Sequence, residues 1–307
     1  MDIVILLVGF SIGLVLLVKG ADEMVSSAVQ IALKFKLPSS IIGATFIGFG
    51  TSAPELFAST GAALKGDLDL GIGNIVGSNI ANSLLVVAVL YLALPKDFSQ
   101  KIKLNQISPV WMAILTTVFV STYVLTNEFP FLLGAVLLIL VIYVIYKMIS
   151  TESVDEGELL GEEKNYIWLR GGLSLLATLY GSQLVVDNAV AIAELFGVSS
   201  LIIGSTIIAI GTSLPEVAGT ISAAKMRKPD IVFGNIFGSN LFNIGLVGAT
   251  AIMISPGEII SVIDYQLFIM YFVSFIVIFL SRNVIKRNSL LGYLFIVAYI
   301  LFLFSLF

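Results

Sequence analysis

Residues 41–56, IIGATFIGFGTSAPEL, return 161 positions later as IIGSTIIAIGTSLPEV at 202–217, and GNIVGSNIAN at 73–82 returns as GNIFGSNLFN at 234–243. Aligned without a gap, 41–82 and 202–243 share 20 identities in 42 positions, including Pro54 with Pro215 and Glu55 with Glu216. The chain is therefore built from two copies of one unit. Each copy carries a carboxylate inside an otherwise apolar run.

The surroundings of those runs are set by composition. Hydrophobic residues make up 58% of the chain and charged residues 12%, against about 25% charged in an average soluble domain. Lipid is the solvent this implies. A hydrocarbon core of about 30 Å takes about 20 apolar residues per helix, so the chain has room for about ten spans and short loops. It has no Cys and no His. Thiolate chemistry, disulfides, histidine triads, haem ligation and most zinc sites are thereby removed, and oxygen remains as the ligand type. A net charge of −4 offers no basic surface to nucleic acid. The opening MDIVILLVGF lacks the basic flank and cleavage site of a signal peptide and reads as the start of a retained helix.

Hydropathy and turn residues predict helices at 2–35, 41–64, 70–94, 107–126, 130–149, 166–195, 201–224, 231–254, 263–281 and 289–306. The first five repeat as the second five. This gives an all-α membrane protein with a five-helix repeat at 1–149, an acidic linker at 150–165 and a second five-helix repeat at 166–307. The linker lacks the spaced ligands and placed glycine of an EF-hand loop and reads as solvated. Threaded through ten spans, 14 of the 16 Lys and Arg residues fall on one side, Lys34, Lys96, Lys101, Arg227 and Arg287 among them. The positive-inside rule makes that side cytoplasmic, with the linker on it and both termini outside. Five is odd, so the two halves cross the membrane in opposite senses, as inverted repeats.

Glu55 and Glu216 fall about halfway along their apolar segments, where an ionisable group costs at least about 2.5–3.5 kcal/mol. Pro54 and Pro215 cannot donate to the carbonyls of Gly50 and Gly211, so helices 2 and 7 are expected to break there and expose backbone oxygen. Thr51 and Ser52 lie four and three residues before Glu55, within reach of one face. Asn74, Ser78 and Asn82 share a face of the next helix, as do Asn235, Ser239 and Asn243; Asn79 and Asn240 lie off that face and suit hydrogen bonds between helices. Carboxylates, hydroxyls, amides and freed carbonyls form a shell for a hard cation. Calcium accepts six to eight oxygens in irregular geometry, and sodium or protons could compete for the same pair of carboxylates.

At these residues the chain resembles the calcium/cation antiporter superfamily, in its sodium/calcium exchanger branch of prokaryotic type. Gly50-Thr51-Ser52-Ala53-Pro54-Glu55 and Gly211-Thr212-Ser213-Leu214-Pro215-Glu216 look like the branch's paired repeat motifs, and the Gly-Ser-Asn runs at 77–79 and 238–240 look like their second halves. The resemblance implies that Glu55 and Glu216, with backbone oxygens of Thr51 and Thr212, hold calcium. It further implies sodium sites around Ser52, Ser78, Ser213, Ser239 and the backbone of Gly48 and Ala209, with Asn82 and Asn243 completing the core. Some archaeal relatives carry an acid where this chain has Asn243. The expected function is export of Ca2+ in exchange for Na+ by alternating access, with no cofactor and no enzymatic step. A Ca2+/H+ antiporter is the nearest alternative and a Ca2+ channel a more distant one.

Overall fold

The computed structural model describes residues 3–101, 106–151, 166–198, 207, 209–258 and 264–306. The predicted linker lies almost wholly outside them, as does the first part of the helix expected at 201–224.

The described residues are all helix apart from two small ribbons and short connections. The helices are α1 (Ile3–Phe35), α2 (Ser39–Thr51), α3 (Ala53–Leu64), α4 (Leu68–Ala93), α5 (Ile107–Thr126), α6 (Phe131–Thr151), α7 (Ile167–Leu195), α8 (Leu214–Lys225), α9 (Pro229–Ile254), α10 (Asp264–Ser281) and α11 (Ser289–Phe304). Among the described residues, seven are long and apolar enough to cross a membrane, or eight if α2 and α3, bent by 45° at their junction, form one broken span. The starts expected at 70 and 231 move to Leu68 and Pro229. Asp67 caps α4 by accepting from the Leu70 N–H at 3.0 Å, and Pro229 at the first turn of α9 needs no donor.

Burial sorts these helices into centre and periphery. The most apolar stretches of α4 and α9 are 78% and 83% buried, whereas those of α1 and α7 are 22% buried each. So α4 and α9 form the heart of the bundle, and α1 and α7 lie on its flank facing lipid. The flanking helices bury what they can against each other. They run antiparallel, and a Cβ on Gly20 would stand 2.7 Å from the Thr178 nitrogen, while Gly181 faces Leu17 in the same way. Gly20 and Gly181 are repeat equivalents, so one close crossing is made twice. At 33 residues α1 is about 50 Å long, more than the hydrocarbon thickness, and its surplus must tilt or project. Near that end Arg170 of α7 pairs with Glu23 of α1 at 2.8 Å.

Two antiparallel ribbons tie the ends together. β1 (Ser99–Lys101) pairs with β4 (Val284–Lys286), and β2 (Glu128–Phe129) pairs with β3 (Gly257–Glu258). One lies before α5 and the other after it, so they close opposite ends of the bundle. Beside β1, Arg227 Nη2 meets Asp97 at 2.6 Å and holds its carboxyl below the usual carboxylate range.

Candidate ion-binding site

The α2–α3 junction is where proline breaks the helix. Ser52 takes φ −82° and ψ 1° between Thr51 and Ala53, and Pro54 enters α3 in its first turn. The repeat reproduces this: Ser213 takes φ −94° and ψ 2°, and Pro215 enters the first turn of α8. Glu55 and Glu216 consequently sit in the first turn of a new helix, where the unpaired N–H groups and positive end of the helix favour a negative side chain. They are 3% and 2% exposed, so the carboxylates come from both halves into the interior.

Oxygen surrounds them loosely. Ser78 Oγ donates to Glu55 Oε1 at 3.5 Å. Thr51 Oγ1 and Ser239 Oγ are 3.4 Å apart, and Ser239 Oγ donates to the Gly48 carbonyl at 3.3 Å. Such spacings are long beside the about 2.7–2.8 Å of a well-made O–H···O bond. One shell out, the bonds are of ordinary length. Asn74 Nδ2 donates to Ser59 Oγ at 2.9 Å and Ser59 Oγ to the Gly71 carbonyl at 3.0 Å, fixing α3 on α4.

The second layer is four amides where α4 crosses α9. Asn82 Nδ2 donates to Asn240 Oδ1 at 3.1 Å, and Asn243 Nδ2 donates to Asn79 Oδ1 at 3.0 Å. Shifting by 161 residues turns one bond into the other. Asn82 and Asn243 each open a π-helical turn, Asn82–Val86 and Asn243–Gly248, a wider coil that commonly marks functional positions.

Several buried oxygens lack any protein partner. Among the described residues these include Glu55 Oε2, Glu216 Oε2, Ser52 Oγ and Asn243 Oδ1. A buried acceptor without a partner costs about 1–3 kcal/mol, more when charged. All four are oxygens of residues singled out in the sequence, and all can accept a cation's positive charge.

A sodium/calcium exchanger protein family model matches residues 5–151 and 166–307. The chain belongs to this family. Its relatives include a putative antiporter of Alkalimonas amylolytica, CaxA, 40% identical over 261 residues and covering 81% of this chain and 80% of that one. The sodium/calcium exchanger MaX1 of Methanosarcina acetivorans is 32% identical, covering 96% of this chain and 97% of its own. A solved structure of the sodium-calcium exchanger NCX_Mj, soaked with Na+ and Sr2+, superposes with a TM-score of 0.82 at 28% identity over 98% of each chain. This member of the prokaryotic exchanger branch is thus an antiporter-family membrane protein with the all-helical fold of NCX_Mj.

Most of the expected site residues are buried. Glu55, Glu216, Thr51, Ser52, Ser213 and Gly48 lie at or just before the two breaks, Ser78 and Ser239 on α4 and α9, and Asn82 and Asn243 where those two helices cross. Thr212 is half-buried and borders two cavities, of about 280 and 410 Å³; Ala209 opens the helical turn Ala209–Gly211 just before the second break. Asn79 and Asn240 do bond across helices, as their position off the main face predicts. One expectation changes: the Gly211 carbonyl released by Pro215 is not free, because Ser182 of α7 donates to it at 3.2 Å. Ser182 was missed as a partner of the break. Its signal was present, since Ser174, Thr178 and Ser182 recur every four residues on α7, but the first two bond within their own helix. The repeat gave no help, because its equivalent is Ala21.

Proposed function

We propose that this protein exports Ca2+ in exchange for Na+, using Glu55 and Glu216 as ligands shared by both ions. The observation that carries this is the pair of buried carboxylates, one from each half, each with an oxygen that nothing in the protein satisfies. Two buried negative charges need compensation, and one divalent or two monovalent cations supply it. In this reading the loose oxygen shell of Thr51, Ser52, Ser78, Ser213, Ser239, Asn82 and Asn243, with backbone oxygen at Gly48, Thr51, Ala209 and Thr212, closes on whichever cation is present. An empty site with two charges is too unstable to switch sides, so only loaded forms cross and the fluxes are coupled. The relatives MaX1 and NCX_Mj are sodium/calcium exchangers by name, which favours sodium over protons as counter-ion.

The architecture behind this is a ten-span inverted repeat, with α2 and α3 as one broken span and the chain around α8 as its counterpart. Three features support it. The amide bonds, the glycine crossing of α1 and α7, and the ribbons all map onto themselves when the halves are exchanged. With both termini outside, the cavities bordering Thr212 lie at the outer end, lined by the later part of α7, the start of α4 and the end of α11.

The deciding experiment uses purified protein in calcium-loaded liposomes under an imposed sodium or pH gradient. Sodium-dependent calcium flux is expected. Flux that follows only the pH gradient would replace sodium by protons, and flux indifferent to both would mean a channel.

A further inference from the structure

Asparagine is an awkward cation ligand, because its two ends have nearly the same shape and only one of them is an acceptor. In a loosely packed site the side chain can turn over and present NH2 to the ion. The hydrogen bonds around Asn243 remove that freedom. The Asn240 backbone carbonyl can only accept, so Asn79 must turn its NH2 toward it, at 3.5 Å, with the Met270 sulfur at 3.6 Å on the same nitrogen. Its Oδ1 is then what remains for Asn243, whose Nδ2 donates to it at 3.0 Å. With that NH2 committed, the Asn243 oxygen is left buried and unpartnered. In the other half Asn240 Nδ2 donates to Ser83 Oγ at 3.2 Å and its Oδ1 accepts from Asn82 at 3.1 Å, but a hydroxyl can serve either end of an amide, so this pair is not held to one polarity.

We propose that Asn79 is a positioning residue that sets the polarity of the ion site: by taking the NH2 group of Asn243, it obliges that amide to turn its oxygen toward the cation. This rests on the cation-site reading above and adds what makes a neutral amide usable in it. A carboxylate would need no such partner, since either oxygen serves. The bland alternative is that the four amides only fasten α4 to α9. The two accounts differ in whether position 79 and position 243 are coupled.

The test is a double-mutant cycle on the full-length protein in detergent, titrated with calcium chloride in a calorimeter. In the native background Asn79→Leu is expected to weaken calcium binding about 10–100-fold, the usual effect of losing an outer partner of a ligand. In an Asn243→Asp background the same Asn79→Leu change is expected to cost little, because no wrong end is left to present. In liposomes the loss should fall on the calcium KM more than on the maximal rate. Equal losses in both backgrounds, or none in either, overturn the proposal. If Asn79→Leu does not fold, Asn79→Ala in the same two backgrounds forms the equivalent cycle, with the same supporting and overturning outcomes. A wild-type protein that binds no calcium would overturn the site reading, and this inference with it, at the first titration.

Discussion

At the scale of single residues, the two carboxylates should prove indispensable and equivalent. Glu55→Gln or Glu216→Gln keeps size and hydrogen-bonding capacity but removes one of the two charges that balance a divalent ion. Each change should reduce sodium-driven calcium uptake in liposomes to background while leaving a monodisperse, folded protein. Retained uptake in either variant would remove that residue from the site. These glutamates were legible because they stand inside apolar runs beside a proline, and the repeat shows each twice. The serines and amides were legible as faces of helices, through spacings of three and four. Their partners were not. Nothing in the spacing says that Asn82 reaches Asn240 while Asn243 reaches Asn79, because that depends on how α4 crosses α9. The Ser182 bond to Gly211 was hidden more deeply, having no counterpart in the first half to draw the eye.

Elements were predicted well where periodicity and punctuation agree, as at α5, where both ends fall as expected and Asn127 closes the helix with φ 56°. The π-helical turns at Asn82 and Asn243 were not foreseen, since an inserted turn leaves the run of apolar residues unchanged. The glycines of α1 and α7 divide in the same way. Composition marks them as small, but only the structure shows Gly20 and Gly181 at the crossing. Gly20→Val should therefore force the two helices apart, since its Cβ would stand 2.7 Å from backbone nitrogen that cannot rotate aside. Overpacking of this kind costs about 1–3 kcal/mol. A clear fall in the thermal unfolding midpoint of the purified protein is expected, and an unchanged midpoint would mean that the crossing is looser than drawn.

For the whole molecule, charge sorts the connections between helices to two sides, and strand pairing sorts several of them independently. Strands in two connections can pair only if both connections lie at the same end of the bundle. β1 pairs with β4 among basic residues, Lys101 and Lys286 included, while β2 pairs with β3 around Glu128 and Glu258. Exchanging the halves turns one ribbon into the other at the opposite end, as inverted repeats require. The number of spans and the side facing the cytoplasm then become one question, which labelling can answer. The chain has no cysteine, so single cysteines can be introduced without a background. Glu128→Cys and Glu258→Cys, both exposed, should react with a membrane-impermeant maleimide added to intact cells. Gln100→Cys and Lys286→Cys should react only after the membrane is opened. A reversed pattern would invert the orientation but keep the repeat. Labelling at both ribbons from outside would break the parity on which the inverted repeat depends, and with it the expectation that Glu55 and Glu216 approach the site from opposite faces of the membrane.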